Sequence, residues 1–250
     1  MSKVRVDQLL VDRGLAESKS RAQAYILAGD VHFRSVRIDK PGTLVPSDAE
    51  LTVKKRGSRY VSRGGDKLEG AILGFGVEPK GKRALDVGAS TGGFTDCLLE
   101  HGAASVVAVD VGYGQLAAKL RSDPRVDVRE RTNARTLTPR DLGGEVDLVV
   151  VDASFIGLEK LLPAIAACLR AGGELVALVK PQFEVGEKEA TRSRGVIRDA
   201  DLRKRTIEEV TLQVERAGFD IVGVRDCVLA GPKGNLEAFV YATRRATSEA

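Results

Sequence analysis

Four ionisable residues at predicted strand and helix boundaries could together activate a hydroxyl group. Asp152 and Lys180 each follow an apolar segment that we predict to be a strand. Lys67 begins a predicted helix, and Glu237 precedes the last predicted strand. A hydroxyl is a weak nucleophile until a base takes its proton, and a lysine can do so when it is neutral. A second lysine nearby lowers the pKa of the first, whereas carboxylates raise it. The sequence therefore leaves open in which direction the pKa of the lysine is shifted.

A glycine-rich loop, DVGASTGGF at residues 86–94, follows the first strand of the predicted sheet. It differs from the G-x-G-x-x-G loop of dinucleotide-binding proteins because Ser90 replaces the second glycine. Asp86 begins the loop, and a carboxylate there repels a pyrophosphate but attracts an ammonium or a sulfonium group. Asp110 ends the next predicted strand, where it can accept hydrogen bonds from both hydroxyls of a ribose. S-adenosylmethionine has the ribose and the cationic centre, and it has no phosphate.

This loop and the residues near the following strand ends are the predicted cofactor site. A glycine-rich turn can also serve packing alone, as a strand-end Asp or a surface Lys can be structural. With a methyl donor present, the two lysines and two acids meet the needs of methyl transfer to a sugar hydroxyl. The predicted cofactor residues are Asp86, Gly88, Ser90, Thr91, Gly92, Gly93, Phe94, Asp110, Val111 and Asn133.

Alternating apolar and helix-like segments position these residues. From Lys82 onward the order of segments is typical of a parallel sheet covered on both faces, which binds ligands at the carboxyl ends of its strands. We therefore predict an α/β fold, a Rossmann-like sheet of seven strands preceded by a small α/β module. The predicted strands are 84–87, 106–109, 126–128, 146–151, 174–179, 221–228 and 238–242; the predicted helices are 66–73, 93–101, 113–121, 158–170 and 199–217. In the first module we predict two helices, with strands at 31–33 and 51–53.

The basic residues are concentrated in the first quarter of the chain. Residues 1–67 contain 14 Lys and Arg against 8 Asp and Glu, whereas the remainder contains 25 and 27. A basic block favours a polyphosphate partner because each neutralised phosphate releases counterions. The block is densest from Lys54 to Lys67, and the alternative is a solvated linker. Tyr60 and two glycines interrupt this block, which favours nucleic acid.

Composition excludes several classes of protein. Three scattered cysteines, Cys97, Cys168 and Cys227, form no disulfide framework, and with only two histidines no metal site is expected. The first residues lack the apolar region of a signal peptide, and no apolar run is long enough to span a bilayer. We therefore expect a soluble, cytoplasmic protein.

The motifs together resemble those of the TlyA family. The first module resembles the RNA-binding domain of the ribosomal-protein-S-four type, through Arg5-Val6-Asp7, Gly14, residues 18–22, Gly29-Asp30-Val31 and Lys40-Pro41-Gly42. The remainder resembles an FtsJ-type ribose methyltransferase domain, through residues 60–68, 86–95 and 231–237. The resemblance covers nearly the whole chain and implies domains at 1–60 and 61–245.

The resemblance implies transfer of a methyl group from S-adenosylmethionine to a cytidine 2′-hydroxyl of ribosomal RNA, of the small subunit, the large subunit or both. The catalytic tetrad of the family falls on Lys67, Asp152, Lys180 and Glu237. Lys180 would accept the proton and Asp152 would orient it, while Lys67 and Glu237 would position the ribose. The implied partners are ribosomal RNA and ribosomal subunits, with a monomer favoured. The residues expected to bind RNA are Arg5, Lys19, Arg21, Lys55, Arg56, Arg59 and Arg63.

Two other functions remain open at this stage. A chain with this fold could bind RNA without catalysis, as a ribosome-assembly factor. Family members are also known as haemolysins, which suggests a protein that acts on membranes, although the sequence contains no spanning helix or amphipathic strand set.

Overall fold

The computed structural model describes residues 3–16, 19–34, 36–53, 59–186, 189, 193 and 195–246. The chain divides into two compact units, residues 1–58 and residues 59–250. Each unit has a hydrophobic core of its own. We describe the two units separately.

The first unit combines two helices with short strands. Its core contains Val6, Leu10, Ile26 and Val31, which are fully buried. The two predicted strands form at the predicted residues, and three further strands of two or three residues were not predicted. The elements are β1 (Lys3–Arg5), α1 (Val6–Asp12), α2 (Lys19–Ala28), β2 (Val31–Phe33), β3 (Val36–Arg37), β4 (Leu44–Pro46) and β5 (Leu51–Val53). Strand β1 pairs with β4, and β2 lies between β3 and β5.

The second unit is built on the seven-stranded sheet that the sequence predicts. Its strands are β6 (Arg83–Val87), β7 (Ser105–Val109), β8 (Val126–Arg129), β9 (Val146–Val151), β10 (Leu169–Val179), β11 (Phe219–Asp226) and β12 (Ala238–Arg244). The strand order is β11-β12-β10-β9-β6-β7-β8. The five strands from β10 to β8 in this order are parallel, while β12 runs antiparallel to both of its neighbours. The chain therefore reverses its strand order between β6 and β9, where open α/β sheets bind ligands.

Helices cover the sheet, and two buried clusters of apolar side chains pack on it. The helices are α3 (Arg63–Phe75), α4 (Gly93–Glu100), α5 (Ala118–Arg121), α6 (Pro139–Leu142), α7 (Leu162–Cys168), α8 (Pro181–Glu184) and α9 (Ala200–Arg216). Helix α9 shows how the pattern determines the element. Asp199 caps its first turn by accepting from two backbone N–H groups, and Ile207, Val210 and Val214 form the buried stripe.

Two predicted helices are wrong in extent. The helix predicted over 113–121 is limited to α5, because Gly114 has a left-handed backbone (φ 69°) just before it. The helix predicted over 158–170 is instead a 3₁₀ turn at Leu158–Lys160 followed by α7. Leu169 already belongs to β10 and pairs with Val146 of β9, a tertiary contact that local periodicity does not reveal.

Helix α3 places Lys67 next to the sheet and begins three residues before the predicted start. Ser62 caps it by accepting a hydrogen bond from the backbone N–H of Gly64 at 3.3 Å. Gly76 ends it with a left-handed backbone, φ 73°. Lys67 and Leu68 lie on the buried face of this helix.

Among the residues that the structure describes, no helix has both the length and the hydrophobicity needed to cross a membrane.

Candidate active site

The glycine-rich loop connects β6 to α4 and approaches the neighbouring strand end closely. Gly88 has a left-handed backbone (φ 87°), and a Cβ atom there would lie 2.8 Å from the backbone oxygen of Asp152. Ser90 also adopts a positive φ, 48°. Only glycine fits at position 88, because both its backbone angle and the available space exclude a side chain.

Asp86, at the end of β6, is completely buried. Its Oδ2 accepts a hydrogen bond from the Thr95 hydroxyl at 2.7 Å. Its Oδ1 is buried and has no hydrogen-bond partner among the described residues. Burial raises the pKa of Asp86 to about 7, and the charges of Asp152 and Asp110 add to the effect of burial. A buried carboxylate with an unpaired oxygen favours a cationic group nearby.

Asp110, directly after β7, holds the loops that follow β6 and β7. Its Oδ2 accepts from the backbone N–H of Ser90 at 2.8 Å, and its Oδ1 accepts from that of Gly112 at 2.7 Å. We expected this carboxylate to bind ribose hydroxyls. Each of its oxygens has a further lone pair for that purpose.

A cavity of about 370 Å³ lies between these loops and the segment after β9. Of the predicted cofactor residues, it is lined by Gly88, Ser90, Asp110, Val111 and Asn133. Its described lining residues include two carboxylates, Asp110 and Asp152, and no lysine or arginine, so the cavity attracts a cationic group and repels a phosphate. The lining therefore fits a cationic cofactor that carries no phosphate.

The first ion pair of the predicted tetrad lies at the carboxyl ends of β9 and β10. Lys180 Nζ is 2.6 Å from Asp152 Oδ1. Lys180 also donates to the hydroxyl of Ser154 at 2.8 Å and to the backbone oxygen of Asp152 at 3.4 Å. The side chain of Lys180 is only 10% exposed. Three acceptors therefore determine the position of its amine.

The second ion pair joins α3 to the start of β12. Lys67 Nζ donates to Glu237 Oε2 at 2.5 Å. The Glu237 side chain is fully buried, and its Oε1 has no hydrogen-bond partner among the described residues. A Cβ on Gly231 would lie 2.1 Å from that Oε1, so only glycine leaves room for the carboxylate.

A second cavity, of about 340 Å³, adjoins the first. Two basic residues, Arg63 and Lys67, line it, which suits an anionic ligand. Three residues, Gly88, Ser90 and Asp152, line both cavities. The loop residues Thr91, Gly93 and Phe94 line the second cavity only, while Asp86 and Gly92 line neither. The two cavities therefore meet beside Asp152, whereas its partner Lys180 lines neither of them.

The residues predicted to bind RNA are in different environments. Lys19 is exposed, and Arg63 donates to the backbone oxygen of Ala230 at 3.1 Å. Arg5 pairs with Asp7 at 2.7 Å and lowers the pKa of Asp7 to about 2. Arg59 lies within 3.4 Å of two carboxylates, those of Glu69 and Glu100. Lys55, Arg56 and the side chain of Arg21 lie outside the described residues.

Tyr60, which interrupts the basic block, is buried and does not itself present a ring to a nucleic acid. Tyr60 is only 4% exposed, and its hydroxyl donates to Glu69 at 2.9 Å. A Cβ on Gly65 would lie 2.2 Å from the Tyr60 ring, so the glycine makes room for the aromatic side chain. Burial is the main reason why the pKa of Tyr60 is raised. This tyrosine serves packing and has no free face on which a base could stack.

The sequence analysis missed three polar residues of the site. Ser154 accepts from Lys180, and its place two residues after Asp152 could have indicated it. Thr95 satisfies one oxygen of Asp86, and its position in the first turn of α4 was a weak signal. Gln115 lines the 370 Å³ cavity and accepts from the Ser90 hydroxyl at 3.1 Å. No pattern in the sequence identified Gln115.

Comparison with known proteins agrees with this geometry. The profile of the FtsJ-like methyltransferase family matches residues 60–245. The chain is 50% identical over 240 residues to the 16S/23S rRNA (cytidine-2′-O)-methyltransferase TlyA of Mycobacterium tuberculosis, covering 96% of this chain and 89% of that protein.

Solved structures of other proteins share the fold of this chain. A structure from Streptococcus thermophilus that carries the name hemolysin has a TM-score of 0.78 and 40% identity, covering 98% of this chain and 90% of its own. The N-methyltransferase NodS from Bradyrhizobium japonicum, in complex with S-adenosyl-L-homocysteine, shares the fold alone, with a TM-score of 0.52 and 16% identity over 74% of this chain and 86% of its own. The TlyA-type resemblance and the Rossmann-like fold predicted from the sequence are both confirmed, and the chain belongs to the FtsJ-like methyltransferase family.

Proposed function

We propose that this protein transfers a methyl group from S-adenosylmethionine to the 2′-hydroxyl of a cytidine in ribosomal RNA. The observation that carries the proposal is that Asp152, which lines both cavities, is 2.6 Å from the amine of Lys180. One cavity fits a cationic cofactor without phosphate, and the other presents basic side chains to an anionic ligand. The M. tuberculosis relative, at 50% identity, carries this activity in its name.

The proposed reaction needs an electrophile, a nucleophile and a proton acceptor at one place. Bound S-adenosylmethionine would supply a methyl group on a sulfonium. The ribose oxygen would form the new bond to that methyl group as the bond from sulfur to methyl breaks, and S-adenosylhomocysteine would leave as the neutral thioether. The hydroxyl proton would pass to the amine of Lys180, which must be neutral to accept it. Asp152 and Ser154 hold the amine, so the acceptor is oriented before the substrate arrives.

The Lys67–Glu237 pair has a positioning role in this proposal. Lys67 lines the basic cavity, where its ammonium can contact the ribose or a phosphate of the RNA. Glu237 is buried behind it and orients its amine. The pair therefore fixes the ribose without itself taking the proton.

We assign RNA binding to the first unit together with the basic residues at the start of the second. The basic excess of residues 1–67 supports this assignment, because phosphate contacts dominate the affinity for RNA. Arg63, which lines the basic cavity, would lie nearest to the modified nucleotide. Ribosomal RNA or ribosomal subunits are then the partners, and the cytoplasm is the place of action.

The test supplies purified ribosomal subunits and methyl-labelled S-adenosylmethionine to the wild type and two glycine variants. Gly88→Ala places a Cβ 2.8 Å from the Asp152 oxygen between the cavities, and we expect it to abolish transfer. Gly81→Ala is the matched control, because Gly81 has a similar backbone (φ 74°) but a Cβ there meets no described atom within 4 Å. Digestion to nucleosides should place the label of the wild type on 2′-O-methylcytidine.

Other outcomes would contradict the proposal in distinct ways. If the wild type binds ribosomal RNA but transfers no label, the RNA-binding assembly factor becomes the better assignment. If the label appears on a base rather than on a ribose, the substrate is wrong. If Gly88→Ala is as active as Gly81→Ala, the cofactor does not occupy the assigned cavity.

A further inference from the structure

The short helix α8 follows Lys180 directly, and its last residue reaches the segment after β9. The carboxylate of Glu184 accepts from the backbone N–H of Leu158, at 3.0 Å through Oε1 and 3.2 Å through Oε2. Leu158 begins the 3₁₀ turn Leu158–Lys160, whose local cap residue, Gly157, provides no side-chain acceptor. Glu184 therefore supplies the missing cap from a distant part of the chain.

This contact joins the two loops that carry the Asp152–Lys180 pair. The segment from Asp152 to Leu161 forms one wall of the 370 Å³ cavity, through Asp152, Ala153, Ser154, Phe155, Ile156 and Leu161. Lys180 and Glu184 lie at the two ends of the segment that contains α8. A single carboxylate thus connects the wall of the cavity to the segment that begins with the proposed proton acceptor.

Two further features support this link. The rings of Phe155 and Phe183 pack with their centroids 5.0 Å apart, which joins the same two segments beside the Glu184 contact. A Cβ at Gly157 would lie 3.1 Å from Glu184 Oε2, so a larger residue there would require the carboxylate to shift.

The environment of Glu184 separates it from an ordinary surface carboxylate. Burial raises its pKa to about 7, with the nearby Glu159 adding to this effect and the Leu158 N–H opposing it. The free-energy cost of burying this carboxylate is offset because the carboxylate accepts a hydrogen bond from a backbone N–H group. Glutamine can make the same bond through its amide oxygen without the cost of a buried charge.

We propose that Glu184 is a positioning residue that holds the Asp152–Leu161 wall of the cofactor cavity in its binding conformation. This inference rests on the proposed function, because it requires S-adenosylmethionine in that cavity. Without Glu184, the Leu158 N–H loses its acceptor and the wall is released. Cofactor affinity then falls, while the chemistry of the complexes that do form is preserved.

The test measures the dissociation constant of S-adenosylmethionine by calorimetry, and KM and kcat with ribosomal subunits. We expect Glu184→Ala to bind the cofactor about tenfold more weakly, the value of one hydrogen bond to a charged group, and to keep most of kcat when the cofactor is saturating. Glu184→Gln should restore wild-type affinity. Asp147→Ala is the matched control, because Asp147 accepts from the Arg83 N–H at 2.9 Å, beside the start of β6 and away from the cavity.

A second pair of variants tests the contact independently of the stability of Glu184→Ala. Gly157→Ala pushes the Glu184 carboxylate away and should also weaken cofactor binding. In the Glu184→Ala background the same change should have no further effect, since the atom it displaces is gone.

Three results would overturn the inference. Equal cofactor affinity in Glu184→Ala and the wild type would show that the contact does not support the cavity, and strict additivity of the two changes would show the same. A wild type that binds no S-adenosylmethionine would overturn the proposed function together with this inference.

Discussion

The second unit has a lysine–carboxylate pair near each end of its parallel strands, one at the carboxyl ends and one towards the amino ends. At the carboxyl edge, Lys180 pairs with Asp152 beside two cavities. Towards the amino edge, Lys82 pairs with Glu174 and precedes β6 directly. Each pair joins a lysine to a carboxylate, and both lysines are largely buried.

The two regions differ in what surrounds each pair. Both oxygens of Glu174 have partners, because Tyr241 donates to Oε1 at 2.6 Å and Lys82 to Oε2. At the carboxyl edge, the buried oxygens Asp86 Oδ1 and Glu237 Oε1 have no hydrogen-bond partner among the described residues. A fully satisfied pair stabilises the fold, whereas buried carboxylate oxygens without a hydrogen bond retain the capacity to accept another partner.

The largest expected difference between the edges is in the rate of methyl transfer. Lys180→Met removes the proposed proton acceptor and should lower the rate at least about a hundredfold, the usual size of a general-base effect. Lys82→Met removes the same functional group from the amino edge and should leave the rate unchanged. Methyl-labelled cofactor with ribosomal subunits measures both. Equal activity of the two variants would break the comparison and remove Lys180 from the mechanism.

Stability should respond to the buried pair of α3 and β12 as well. Lys67→Met leaves the fully buried Glu237 carboxylate without its cation, and we expect a loss of about 3 kcal/mol in the free energy of unfolding. The double variant Lys67→Met/Glu237→Gln should recover most of this loss, since the uncompensated charge is gone. Urea unfolding measures the two values. A single variant as stable as the wild type would show that Glu237 is not held as a charged group.

The smallest effect concerns pH and Asp86. Its pKa is raised from 3.8 to about 7, so the folded protein holds this proton to a higher pH than the unfolded chain does. The free energy of unfolding without ligand should therefore fall as the pH rises from about 4 to about 7. A cationic cofactor favours the ionised form, so its affinity should rise about tenfold from pH 6 to pH 8.

Asp86→Asn is the variant that sharpens this prediction. It removes the titrating group, so both pH dependences should become flatter. Calorimetry of cofactor binding at a series of pH values, with urea unfolding at the same values, provides the measurement. If Asp86→Asn shows the same pH dependences as the wild type, the group that titrates is another group of the site.

The strongly apolar strands were the most predictable part of the fold. Strand β9 forms at the predicted residues, because a run of valines between polar residues has few alternatives. The helix over 113–121 was the least predictable, since its apolar spacing fits a helix but its glycines leave the first half as a loop. Tyr60 shows the same limit for a single residue, because an aromatic residue in a basic run looks the same whether it packs or stacks.

Chain order and residue type alone determined the fold class, the glycine-rich loop, and the placement of Asp110, Asp152 and Lys180 at strand ends. These depend on local patterning and on the rule that parallel strands share one carboxyl edge. Tertiary structure decided which lysine pairs with which carboxylate, that Ser154 and Gln115 belong to the site, and that Glu184 caps Leu158 from 26 residues away. Those contacts join segments distant in the chain, so their geometry arises only when the sheet brings the segments together.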